Sequence, residues 1–166
     1  MPLVSATMKT KFLRLFTPSG FPANPDKAAT ELSGIYNQYA QSATAGGTLP
    51  SFTGGEVERL KSALFPVLRS PRTSTAPKMA RAWASGLSRF WLSPAVQFAG
   101  GSGTGVVTLF PGQPSLISAL TVIFQNNRNS AGRAASTIAS ALHTATLTVT
   151  VLITPPTGTP FPVKLT

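Results

Sequence analysis

The groups that could do chemistry in this chain are few. Asp26, Glu31, Glu56 and Glu58 are the only carboxylates, His143 is the only imidazole, and cysteine is absent. Without cysteine there is no thiol nucleophile, disulfide, iron–sulfur cluster or thiolate zinc site, and the redox state of the compartment leaves no trace in the sequence. Glu56 and Glu58 stand two positions apart, so a helix carrying them directs them to different faces. A carboxylate pair for general acid–base work is not built that way. His143 falls near the end of an Ala-rich stretch with no acid close in sequence, which suits an imidazole meeting terminal carbonyls and the helix dipole better than a member of a triad. The sequence therefore predicts no catalytic group, metal ligand set or cofactor, and the chain is not expected to be an enzyme.

Two further patterns carry a chemical suggestion. Gly101-Ser102-Gly103-Thr104-Gly105 looks like a phosphate-cradling loop, but Val106 stands where the third glycine of G-x-G-x-x-G belongs. An apolar, strand-like run follows it where an anion site needs a helix N-terminus, so a flexible loop is expected. The cations are more suggestive. Arg59, Lys61, Arg69, Arg72, Lys78, Arg81 and Arg89 fall within 31 positions, near Trp83 and Trp91. Such a region could follow a phosphate backbone while aromatic rings stack on unpaired bases. Arg69, Arg72, Lys78, Arg81 and Arg89 are the residues this nucleic-acid reading would use. Against it, both tryptophans fall on the apolar side of their helix, and the cations spread over a linker and two helices.

The elements that must position these groups follow from length and patterning. At 166 residues the chain has the size of one domain. Hydrophobic residues make up 42 %, charged residues only 11 %, and the formal net charge is +10, so ionic surface is scarce for a soluble protein. Phe12, Leu15 and Phe16 share a side of a short first helix that ends before Pro18. Asn24-Pro25-Asp26 is a start signal, with a cap, a proline at the first helical position and an acid at the positive end of the dipole. A helix is predicted over 25–43, its stripe formed by Ala28, Leu32, Ile35, Tyr36 and Tyr39. Thr53-Gly54-Gly55-Glu56 fits a capping box ahead of Val57, Leu60, Leu64 and Val67, and Pro66 should end or kink that helix near Phe65. Thr75-Ala76-Pro77 starts another, with Met79, Trp83, Gly86, Leu87 and Phe90 on one face. Pro114-Ser115 opens a fifth with Leu116, Ile117, Leu120, Ile123 and Phe124 inward, and Ser130 caps the Ala-rich last one.

Val106–Phe110 and Thr146–Ile153 read as strands, the second from the alternation of Leu147, Val149, Val151 and Ile153 with threonines. That strand needs a partner, either 106–110 or a strand of another subunit. Residues 155–166 are proline-rich and are expected to form an extended arm beyond a mainly helical domain spanning 1–154. Five to six amphipathic helices, a small β element and that arm make up the expected fold. The first 16 residues lack the apolar run of a secretory signal, and no apolar stretch approaches the length of a membrane span.

Three segments together carry a resemblance: Ala28-Ala29-Thr30-Glu31-Leu32 leading to Tyr36 and Tyr39, Ala80-Arg81-Ala82-Trp83-Ala84 leading to Phe90-Trp91, and 134–142 with its run of Ala, Ser and Thr. With the Gly-rich interruption and the Pro-rich end, the pattern resembles small virion structural proteins of tailed bacteriophages. The resemblance implies a non-enzymatic particle component of the neck, tail or capsid exterior, located in the virion and assembled in symmetric copies with itself and other virion proteins. On that reading Leu147, Val149, Val151, Ile153 and Phe161 are the expected oligomer contacts, by strand addition and through the arm. Nucleic acid through the 59–89 region is the alternative partner, and no small-molecule substrate is expected.

Overall fold

Capping chemistry sets the helix starts in the computed structural model, which describes residues 3–126 and 128–166. Asn24 Oδ1 accepts the backbone N–H groups of Asp26 and Lys27 at 2.8 and 3.3 Å, opening α2 (Pro25–Ala40). Ser130 Oγ accepts the N–H of Arg133 to open α6 (Ala131–Thr146). The capping box of α3 (Gly55–Arg69) is only half made. The N-cap is Gly54 at φ 93°, and Glu56 reaches back to accept the N–H groups of Thr53 and Gly54 at 3.0 and 3.1 Å. The Thr53 hydroxyl donates to the same carboxylate instead of accepting from the backbone, so Glu56 is fully buried with its charge satisfied by three donors. Pro66 does not end α3, which continues to Arg69. The carbonyl that loses its bond is that of Ser62, which lies on the exposed side of the helix.

With α1 (Ser5–Leu15), α4 (Ala76–Trp91) and α5 (Gln113–Gln125) there are six helices among the described residues. Each packs on its neighbours in sequence and α6 returns to α1, closing a circuit. Helices α3 and α4 approach closely at Gly86, where a Cβ would stand 2.7 Å from Leu60 Cδ1 and 3.0 Å from Ala63 Cβ. A side chain there would have to push the helices apart.

The β structure departs from expectation. In place of a small element and an extended arm, the chain forms a five-stranded antiparallel sheet, in the order β1 (Leu49–Ser51), β2 (Gln97–Gly100), β3 (Gly103–Leu109), β4 (Thr150–Thr154), β5 (Phe161–Lys164). The Gly-rich stretch is no flexible loop. It is the β2–β3 hairpin, with Gly100 opposite Gly103 and the turn made possible by Gly103 at φ 125°. β4 begins at Thr150 because α6 runs through Thr146, and it pairs with β3, Val106 opposite Leu152 and Val107 opposite Val151. The arm is corrected too. The chain reverses near Gly158 (φ 117°) and returns as β5, Val163 opposite Val151. Leu165 is buried in the core, and Thr166 exchanges both backbone hydrogen bonds with Thr44, at 2.9 and 3.0 Å. Residues 155–166 thus complete the sheet. Proline richness did not prevent this because β5 is an edge strand, where Pro162 is tolerated, and because Val163 and Leu165 have apolar surface to bury.

Candidate functional site

The expected oligomer contacts are largely used inside this chain. Val149, Val151 and Ile153 are 0 % exposed and Leu147 is half-buried against the same core. Ile153 and Val151 lie over Gly105, where a Cβ would come within 2.6 and 2.8 Å of them. Of the five, Phe161 alone is exposed, on edge strand β5.

The opposite face of the sheet is the open one. The strand register places Leu49, Ala99, Thr104 and Thr154 in one outward row, Ser51, Gln97, Val106 and Leu152 in the next, and Leu109 with Thr150 beyond a bulge. Leu49, Val106 and Leu109 are 57, 48 and 60 % exposed. Lys164 is the only ionisable residue in the five strands. Sequence reasoning found β3 and β4 in part, missed β1, β2 and β5, and did not find this face. The signal was present in β3, where Gly103 and Gly105 hold the inward positions, so the apolar alternation belongs to the outside.

The predicted basic residues Arg69, Arg72, Lys78, Arg81 and Arg89 are all exposed, at and after the α3–α4 turn. All four acids precede Arg59 in sequence. Among the described residues the one ion pair is Lys61 with Asp26, at 3.1 Å, so these five cations have no carboxylate partner. Trp83 and Trp91 are 3 and 0 % exposed, which removes them as stacking platforms for bases.

Beside this basic turn a groove opens at one end of the helix circuit, with a volume of about 280 Å³. Five helices contribute to its wall, Leu32 from α2, Leu68 from α3, Met79 and Trp83 from α4, Phe124 from α5 and Ile138 from α6, and Phe16, the C-cap of α1, joins them. Phe21, in the α1–α2 connection and 43 % exposed, forms part of the rim. The ring of Trp83 stands edge-on to Phe12, and Phe16 stacks on Phe12 at 5.6 Å, which stiffens the walls. No local motif announces the groove, since its wall is drawn from seven separate segments.

His143 is oriented by a group no sequence spacing indicated: the Tyr39 hydroxyl lies 2.6 Å from its Nδ1. Nearby runs a buried polar chain. Trp91 Nε1–H donates to the Tyr36 hydroxyl at 2.7 Å, Tyr36 meets Thr146 Oγ1 at 2.6 Å, and the Thr146 hydroxyl donates to the Leu142 carbonyl at 2.7 Å. Because Thr146 spends its proton on Leu142, Tyr36 is the donor between them, and every member is satisfied. Burial pushes the Tyr36 hydroxyl above the ordinary tyrosine range against the opposing hydrogen bonds, and pushes Tyr39 up likewise, further raised by the charge Tyr36 would carry. Both phenols are held neutral. This chain ties α2, α4 and the end of α6 together just before β4.

Compared with protein-family models, curated proteins and solved structures, the chain matches none of them.

Proposed function

We propose that this chain is a non-enzymatic structural subunit of a tailed-phage particle, in the neck, in the tail or on the capsid exterior, and that its copies meet through the outer face of the sheet. The observation that carries the reading is electrostatic. In a chain of net charge +10, copies repel one another wherever cations face cations. The outer face is an apolar, threonine-lined surface whose one cation, Lys164, sits on the edge strand. A two-fold contact across it would bury the exposed parts of Leu49, Val106 and Leu109 on both subunits, at about 1 kcal/mol for each half-exposed side chain. The resemblance of 28–39, 80–91 and 134–142 to small virion proteins supports the phage assignment.

Sedimentation of the purified chain over a range of concentrations tests the contact. The wild type is expected to self-associate, and Val106→Lys, whose side chain points to solvent in the single subunit, is expected to stay folded and weaken association about 100-fold or more, since each two-fold contact would bury two new charges. A wild type that remains monomeric at high concentration, or a Val106→Lys variant that associates equally well, refutes it. Immunogold labelling of purified particles tests the location, and unlabelled particles overturn the virion assignment.

A further inference from the structure

We infer that the groove at the end of the helix circuit, with the cations of the α3–α4 turn beside it, is a docking site for an acidic peptide segment that carries a bulky apolar anchor. The groove supplies the anchor's pocket. Its volume of about 280 Å³ exceeds the roughly 150 Å³ that suffices for a benzene ring in an apolar cavity, so one aromatic or large aliphatic side chain fits with room for part of a second. The walls are mostly apolar side chains from five helices and the C-cap of α1, so the pocket is held open by the fold and needs no rearrangement to receive a ligand.

Charge selects the flanks of the ligand. Arg69 follows the wall residue Leu68, Arg72 lies two residues before Ser74 on the wall, and Lys78 precedes Met79. All three are exposed and, among the described residues, have no carboxylate partner. A carboxylate-bearing segment would complete them, and exposed charges next in sequence to the lining residues add association rate and selectivity on top of what the anchor contributes. A second copy of this chain supplies it poorly. Of its four acids, Glu56 is buried in the α3 cap and Asp26 is paired with Lys61, which leaves Glu31 and Glu58. Two acids far apart in sequence make no acidic segment, which favours a different polypeptide as the occupant. A single-stranded nucleic acid is disfavoured because the aromatic rings of this region are buried or line the groove's wall, where a base would have to leave its charged backbone to reach them. The inference stands on the groove and its cations, whether or not copies meet through the sheet.

Fluorescence anisotropy with a labelled short peptide, Glu- and Asp-rich around a central Leu-Phe pair, tests it against the full chain. Binding is expected, with about tenfold or more loss when the Leu-Phe pair is replaced by Ala-Ala. Comparable losses are expected for Phe21→Ala, which removes rim surface, and for the double variant Arg72→Glu, Lys78→Glu, which reverses exposed charges. Circular dichroism confirms that the variants fold. The inference is overturned if the peptide does not bind, if the Ala-Ala peptide or a single-stranded oligonucleotide binds as well as the Leu-Phe peptide, or if neither variant changes the affinity.

Discussion

Replacing Tyr36 by Phe removes one oxygen atom from the middle of the molecule and breaks the buried polar chain in two. Trp91, fully buried, is left with an N–H and no acceptor, while Thr146 loses a donor but keeps its own bond to the Leu142 carbonyl. The loss of the indole's hydrogen bond, with the desolvated donor left behind, costs about 1–3 kcal/mol, and the lost bond to Thr146 adds about 0.5–1. The sum is about 1.5–4 kcal/mol, which for a chain of this length lowers the melting temperature by roughly 3–16 °C. Urea unfolding followed by tryptophan fluorescence measures it, with the m-value unchanged because the same surface is exposed. A double-mutant cycle isolates the pair. In a Trp91→Phe background no indole N–H remains to be orphaned, so Tyr36→Phe should cost at least about 1 kcal/mol less than in the wild type. Additive costs, or a single-variant cost under about 0.5 kcal/mol, would show that the hydroxyl is not the acceptor on which Trp91 depends.

Two other outcomes follow from the same structure. Tyr36 and Tyr39 are held above the ordinary tyrosine range, so their contribution is fully present below the unfolded pKa of about 10 and is lost as pH rises beyond it, by up to about 1.4 kcal/mol per pH unit for each ring. The urea midpoint should therefore fall between about pH 9 and pH 11, less steeply in Tyr39→Phe, and a midpoint flat across that range contradicts the burial argument. Deleting 161–166 removes β5, the buried Leu165 and the Thr44–Thr166 hydrogen bonds; the side chain of Leu165 alone is worth about 1.5–3 kcal/mol, so the truncated chain should unfold at distinctly lower urea or aggregate through its uncovered β4 edge. An unchanged midpoint would restore the picture of a detached arm.

What the sequence determined by itself was local. Asn24 and Ser130 announce helices because a cap needs only the next three residues, and the stripes that bury Leu32, Tyr36, Leu87 and Leu142 need only a period. The scarcity of acids was equally plain, and it governs both proposed surfaces. What the tertiary structure decided was everything that depends on distant segments. Residues 155–166 look like an unattached arm until β4 offers them an edge, and Val151 and Ile153 look like contacts for a neighbour until Gly105 leaves the space they occupy. The groove has no sequence signature because its wall is drawn from five helices and two connections that must come together before it exists. Local chemistry is written residue by residue, whereas which apolar face is covered depends on what the rest of the chain brings over it.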